Sequence, residues 1–296
     1  MMVRNETITG PVLLAFFAIY VVWGSTYLAI RVAVESVPPL FAAGVRFLIA
    51  GTVLHLWALM RGMPSPTRIQ WRNLTILGAL MFLAPYGGLF WAEKSMPSGI
   101  AAVLVATIPL WTTLLQIFVF KKQRMEWALL ASIVLGVGGV MVLAIGRPGG
   151  EINLLACLAI LGSEISWATG TILTTILDLP QSKLTSAGAQ MWIGGAMLLV
   201  CSGLFGELHP LPHVSAKAAA AIAYLIVAGS LIAFTAYVWL LDRIPATTVT
   251  SYAYVNPVVA LMIGHWLGSE ALGGRTIVGS TLVLASVVTL LRRSGH

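Results

Sequence analysis

The chain has 296 residues, of which 58% are hydrophobic and only 9% are charged, and its formal net charge is +7. Soluble domains carry about 25% charged residues, so this composition excludes a soluble globular protein with a hydrated surface. The positive charge does not indicate nucleic-acid binding, because all Lys and Arg residues except Arg46 lie in or beside short segments between long apolar runs, where topology signals occur.

Ten apolar segments, each close to the roughly 20 residues that a helix needs to cross a bilayer, account for most of the chain. Long unbroken runs favour helices over a barrel, because a helix satisfies its own backbone hydrogen bonds in lipid. The sequence therefore predicts an all-α polytopic membrane protein with ten transmembrane helices. The predicted spans are 11–30, 38–60, 73–92, 98–120, 127–146, 152–176, 184–204, 216–241, 245–267 and 275–291. We expect the first to be a span and not a cleaved signal, because nine more follow it.

The Lys and Arg residues between the spans predict the orientation. With the N-terminus inside, the inner segments hold eleven of these cations and the outer segments hold five. Cytoplasmic loops carry the excess of Lys and Arg in membrane proteins. Both termini are therefore expected in the cytoplasm.

The two sets of five spans resemble each other in sequence. Because five is odd, the second copy must enter the membrane from the opposite side, as in many secondary transporters. The sequence therefore predicts two inverted five-helix repeats, 1–148 and 149–296, around a central cavity with a midplane site. A shift of 144 residues places Trp23 on Trp167, Arg46 on Gln190, Ile49 on Ile193, Gly51 on Gly195 and Leu54 on Leu198, and a shift of 148 places Pro97 on Pro245, Pro109 on Pro257 and Ser132 on Ser280.

Several short strings, in this order and spacing, resemble the EamA-type members of the drug/metabolite transporter (DMT) superfamily over essentially the whole chain. Within that group the YddG-like exporters of aromatic and other neutral amino acids are the nearest fit. The resemblance implies ten helices, cytoplasmic termini, and export of small metabolites across the cell inner membrane. The chain departs from the pattern at Lys121-Lys122-Gln123-Arg124, where a Gly-Glu ending of the fourth span is expected. The strings are Trp23-Gly24-Ser25-Thr26-Tyr27, Pro38-Pro39-Leu40-Phe41, Ala92-Glu93-Lys94-Ser95-Met96-Pro97, Ile108-Pro109-Leu110, Asn256-Pro257 and Leu267-Gly268-Ser269-Glu270.

Two charged residues lie deep within the predicted spans. Arg46 is about two turns inside the second span, where a cation costs about 2.5–3.5 kcal/mol on insertion scales. It would anchor a substrate carboxylate or brace backbone carbonyls, and the alternative is snorkelling to the outer headgroups. Glu164, near the middle of the sixth span, would serve proton coupling or contact a substrate amine. The alternative for Glu164 is a structural hydrogen bond between helices.

Aromatic and polar residues inside the spans are the remaining candidates for the cavity. Tyr20, Trp23 and Tyr27 share one helical face at spacings of three and four. Large rings would line a cavity for apolar side chains, whereas interfacial belts and helix packing are the alternative readings. The candidate substrate-binding residues are Trp23, Tyr27, Arg46, Tyr86, Glu164, Trp167, Gln190, Tyr252 and Asn256.

Helix interruptions and small residues suggest further roles. Pro109 and Pro257 are candidate hinges, because proline frees a carbonyl four residues earlier and bends a helix, although packing alone would also explain a kink. Small residues in the fifth and tenth spans indicate close helix approach. These spans are expected to be peripheral packing elements or the interface of a homodimer.

Three classes of function remain open, and a secondary transporter explains the inverted repeat and the scarcity of buried charge best. An intramembrane enzyme would need a nucleophile–base or metal constellation, and none of the familiar motifs occurs. A channel or scaffold does not use the repeat so naturally. We expect no metal or cofactor, no direct drive by ATP, and a small molecule, most simply an amino acid, as the transported partner. Cys157 and Cys201 are expected to be free.

Overall fold

A computed structural model describes residues 9–121, 127–144, 153–209, 213–241, 243–244, 249 and 251–294. This part of the chain is helical and forms the ten predicted helices. Seven are long and apolar enough to span a membrane, and shorter apolar segments at Leu129–Leu143, Val255–Trp266 and Gly274–Thr289 complete the ten. The helices are α1 (Gly10–Val34), α2 (Pro39–Met60), α3 (Arg68–Ala92), α4 (Ser98–Phe118), α5 (Trp127–Ala144), α6 (Leu154–Leu173), α7 (Lys183–Leu204), α8 (Ala216–Leu240), α9 (Tyr252–Trp266) and α10 (Gly274–Ser294).

Local sequence chemistry sets several helix ends that hydrophobicity alone did not locate. α3 begins at Arg68, five residues before the predicted apolar run, because Thr67 and Gln70 form a capping box around its first turn. α2 ends before Gly62, whose φ of 74° suits glycine at a helix C-terminus. The described part of α9 begins at Tyr252. Residues 245–248, where the predicted span begins, lie outside the described part of the chain, as does the predicted repeat boundary at 148/149.

The crossing of α2 and α7 shows the inverted symmetry of the two repeats. A Cβ atom on Gly51 would collide with the backbone of Trp192, and one on Gly195 would collide with the backbone of Leu48. The two contacts are related by the predicted shift of 144 residues, so each repeat presents the same glycine to the same position of the other. Small residues allow this close backbone approach in lipid.

Small residues also join α5 to α10 within the same chain. A Cβ on Gly139 would meet Val283 at 2.7 Å, one on Gly279 would meet Leu143 at 2.7 Å, and Ser286 donates a hydrogen bond to the Ser132 carbonyl at 2.7 Å. The predicted packing role of these helices is thus an internal one, and the homodimer stays a prediction.

Ten alternating crossings put both chain ends on one side of the membrane, here called the proximal side, and the other is the distal side. On the distal side the first half of α4, Ser98–Val105, is buried on almost every residue and packs against α9 and α1. In its second half, Ile108–Phe118, only Leu110 is buried. α4 is therefore packed tightly at its distal end and more loosely towards its proximal end.

Candidate functional site

Two groups of aromatic side chains line the centre of the bundle. In the first, the ring of Trp23 on α1 lies 5.4 Å from Tyr237 on α8 and 5.1 Å from Tyr252 on α9, measured between centroids. All three residues are half-buried. Aromatic pairs prefer centroid separations of about 4.5–7 Å, so these three rings pack against one another.

The second aromatic group lies on α2, α3 and α6. Tyr86 stacks beside Phe82 at 6.0 Å, contacts Phe47 at 4.3 Å and meets Trp167 at 6.1 Å. Tyr86 and Trp167 are half-buried, whereas Phe47 and Phe82 are buried behind them. Trp23 and Trp167, which are matched by the repeat, therefore belong to opposite walls.

Arg46 is buried in the protein and does not snorkel, since only 3% of its surface is exposed. Its Nε donates to Ser230 Oγ at 3.0 Å, and its guanidinium lies over the rings of Phe47 and Tyr86 at 4.6 and 5.4 Å. The buried Nη1 atom has no hydrogen-bond partner. A buried donor without a partner costs about 1–3 kcal/mol, which an anion in the cavity would recover.

Glu164 is the buried carboxylate of this region, with 4% of its surface exposed. Within the described residues it forms no hydrogen bond or ion pair, so the structure does not support the interhelical hydrogen bond as its role. Glu164 interacts electrostatically with Tyr27 and Tyr86. Arg46 interacts with the same two tyrosines. Tyr27 and Tyr86 therefore lie near both Glu164 and Arg46.

Three helices widen into π-helical turns at mid-membrane, and each is braced by the other repeat. Asn256 on α9, with its amide nitrogen oriented as donor, bonds the carbonyls of Ile19 and Tyr20 at 2.9 and 3.0 Å, inside the π-helical segment Ala18–Val22 of α1. Both amide hydrogens are then used. Asn256 is therefore a structural brace in this arrangement and has no donor left for a substrate.

The same kind of brace holds the other two π-helical segments. Ser166 on α6 donates to the Leu80 carbonyl at 2.8 Å in the segment Ala79–Leu83 of α3. Trp23 Nε1 donates to the Gly229 carbonyl at 2.9 Å in the segment Leu225–Ala233 of α8. π-helical turns occur frequently at functional sites, and here the hydrogen bonds to them connect the two repeats.

The remaining candidates fall in different places. Gln190 is buried on α7, and its backbone carbonyl lies close to Gly78 on α3 of the other repeat. α4 is broken just before Pro109, into Ser98–Val105 and Ile108–Phe118. α9 instead continues through Pro257 without a break. The matched prolines are therefore not equivalent, and a hinge role for either stays a prediction.

Sequence reasoning missed the residues whose importance depends on which helices meet. Ser230 and Gly229 became visible only through their contacts with Arg46 and Trp23. Tyr237 lies in the predicted eighth span, but all seven tyrosines lie inside predicted spans, so only its contact with Trp23 distinguishes it. Both cysteines are free, as expected.

Comparison with protein families gives two matches within the chain. The EamA-like transporter family model matches residues 10–145 and again residues 154–292. The match thus covers nearly the whole chain and repeats once, in register with the two five-helix halves.

Individual proteins show the same relationship. The chain is 40% identical over 267 residues to the "Uncharacterized inner membrane transporter YedA" of Escherichia coli strain K12, covering 88% of this chain and 84% of that protein. It is 28% identical to the "Probable terminal-alkyne amino-acid exporter" of Streptantibioticus cattleyicolor, over 93% and 91% of the two chains. A crystal structure with 20% sequence identity has the same fold, with a TM-score of 0.64 over 96% of this chain and 99% of the other.

Proposed function

This chain belongs to the EamA-like transporter family of the drug/metabolite transporter superfamily, and from that premise we propose that it exports aromatic and other neutral amino acids by alternating access. It is a multi-pass membrane transporter, and the proposed location is the cell inner membrane with both termini in the cytoplasm. The excess of inner cations in the sequence supports that orientation, and the relative in Escherichia coli is named an inner membrane transporter.

One observation carries the choice of substrate. Arg46 has an unpartnered Nη1, and Glu164 has no hydrogen bond or ion pair within the described residues. Both residues lie near Tyr27 and Tyr86. A zwitterionic amino acid would satisfy both, with its carboxylate at Arg46 and its ammonium at Glu164, while its apolar side chain would contact Trp23, Tyr86, Trp167 and Tyr252. The relative named as an amino-acid exporter supports the same substrate class.

Reconstitution tests this proposal. Proteoliposomes containing the purified protein are presented with a panel of radiolabelled amino acids, with and without a pH gradient. We expect saturable uptake of Phe, Trp and Leu that exceeds uptake of Asp and Lys. Uptake of other metabolites in their place would reassign the substrate class, and uptake that does not saturate would indicate a channel-like facilitator.

A further inference from the structure

A cluster of charged residues closes the distal end of the bundle. Arg31 at the end of α1 donates through Nη1 to the Met96 carbonyl at 2.6 Å, and its Nε lies 3.7 Å from Glu270 Oε1. Glu270 follows α9 and therefore belongs to the second repeat. The cluster joins the two repeats at the end where α4 is fully packed.

Glu270 has all the partners that a buried carboxylate needs. Its Oε1 accepts from the backbone N–H of Ser98 at 2.7 Å, and its Oε2 accepts from the N–H of Gly99 at 3.2 Å. These N–H groups form the positive end of the α4 helix dipole. Arg31 lies beside it as well, so both oxygens of Glu270 have partners.

Glu93, at the end of α3 in the same cluster, has none of these partners. Only 1% of its surface is exposed, and neither carboxylate oxygen has a hydrogen-bond partner. The backbone N–H of Arg31 is close to Glu93. Arg31 lies within α1, however, where each backbone N–H donates to the carbonyl four residues earlier. Burial, and next the charge of Glu270, raise the pKa of Glu93 well above its ordinary value, and Arg31 and Arg46 offset part of that rise.

We propose that Glu93 is a proton-binding site of the distal closure, which takes up a proton from the outer solution when that end closes and returns it when that end opens. The inference rests on the alternating access of the proposed function. Closing removes Glu93 from water while Glu270 already occupies the available backbone N–H groups. A second bare carboxylate beside Glu270 has no hydrogen-bond donor for either oxygen, so closure binds one proton at a Glu93 oxygen.

The charged and titratable groups that surround Glu93 favour this assignment. Arg31 is committed to Met96 and Glu270, and Arg46 bonds Ser230 on α8. Beyond these, the neighbouring titratable groups are Lys94, which is exposed, Tyr27 on α1, and His265, whose Nδ1 contacts the Glu270 carbonyl at 2.8 Å.

The sequence restricts this proton site to one side of the membrane. The shift of 148 residues places Glu270 on Lys122 and Glu93 on Leu241. The matched positions of the proximal side therefore lack this pair of carboxylates. Lys122 belongs to the segment 122–126, which lies outside the described residues, and the comparison is one of sequence alone.

Distances between spin labels test the proposal without measuring transport. Labels are attached to Ser95→Cys and Leu267→Cys, two exposed positions on the distal ends of different repeats, after Cys157→Ala and Cys201→Ser. In proteoliposomes the short, closed distance should dominate at low pH, and the ratio of closed to open should fall by up to about tenfold per pH unit above the midpoint. Glu93→Gln should keep the closed distance at every pH.

Glu35→Gln is the matched control, because Glu35 lies at the same end of α1 but is exposed and pairs with Lys217 at 3.1 Å. It should titrate as the parent does. A pH response that persists in Glu93→Gln, or is absent from the parent, would overturn the proposal. Should Glu93→Gln fail to fold, Glu93→Asp must titrate with a shifted midpoint, and an unchanged midpoint counts against Glu93. Failure of the amino-acid assay leaves these distances unaffected, so the two proposals fail separately.

Discussion

Arg46 is the residue on which the proposed substrate site depends most. Lysine at this position would keep the charge but could not both bond Ser230 and present a second donor towards the cavity. We expect Arg46→Lys to raise the KM for amino acids by about tenfold to a hundredfold, since a charged hydrogen bond contributes about 1.5–3 kcal/mol. Arg61→Lys, at the exposed residue that follows the same helix, should transport like the parent. Equal KM values in Arg46→Lys and Arg61→Lys would remove Arg46 from the site.

Glu164 is expected to recognise the substrate ammonium group. Glu164→Gln should weaken the binding of phenylalanine but leave that of its deaminated analogue, phenylpropionate, unchanged, because only the former carries the ammonium. Competition against labelled substrate in proteoliposomes measures both affinities. If instead Glu164→Gln binds and transports phenylalanine like the parent at every pH, Glu164 neither recognises the substrate amine nor couples transport to protons.

Glu93 should make the stability of the folded protein depend on pH. The pKa of Glu93 in the folded state is raised above its unfolded value. Below the unfolded pKa of about 4.3 the carboxyl group is protonated in both states and does not destabilise the fold. Stability is then lost as the pH rises towards the folded pKa, since the unfolded state releases its proton first. Glu93→Gln should therefore gain thermal stability over the parent as the pH rises from 4 to 7, as melting in detergent would show. A constant difference in Tm across this range would contradict the raised pKa.

At the scale of helices, the glycine crossing of α2 and α7 is the most constrained contact between the repeats. Gly51→Ala and Gly195→Ala would place a methyl group against backbone atoms, which cannot move as a side-chain end can. Each should lower the unfolding free energy by about 1–3 kcal/mol. Gly138→Ala on α5 is the control, because a Cβ there meets nothing within 4 Å. Melting curves of Gly51→Ala and Gly138→Ala that coincide would disprove the close crossing.

The helices also show which features the sequence could predict. Ten spans followed from length and hydrophobicity, because lipid imposes the same apolar requirement on every helix. The start of α3 was missed by five residues, since Arg68 and Arg72 are polar and only the Thr67 cap shows that the helix begins there. The π-helical turns of α1, α3 and α8 were not foreseen, because they depend on carbonyl partners from other helices.

The candidate site was foreseen only in part, for a related reason. Buried charge and aromatic content singled out Arg46, Glu164 and the tryptophans before their neighbours were known. The role of Asn256 was not predictable, because its amide is satisfied by carbonyls more than two hundred residues away in the sequence. Residue type therefore predicts that a polar side chain inside a membrane has a structural or functional role. Only the packing shows whether it holds another helix or is free to bind a substrate.

In the whole molecule, two inverted repeats are joined by hydrogen bonds at the π-helical segments and by a carboxylate cluster at the distal end. A second carboxylate strengthens this joint, because Glu207 after α7 accepts from the backbone N–H groups of Leu40 and Phe41 at 3.4 and 3.0 Å at the start of α2. Alternating access requires that these distal contacts separate while the proximal ends approach each other.

Counterflow in proteoliposomes tests whether the protein works by alternating access. Vesicles are loaded with unlabelled phenylalanine, diluted into a trace of labelled phenylalanine, and compared with empty vesicles. We expect a transient accumulation of label in the loaded vesicles. Internal phenylalanine returns the carrier to the outward-facing state, and it competes with labelled phenylalanine for exit. Equal entry of label into loaded and empty vesicles, without accumulation, would contradict alternating access.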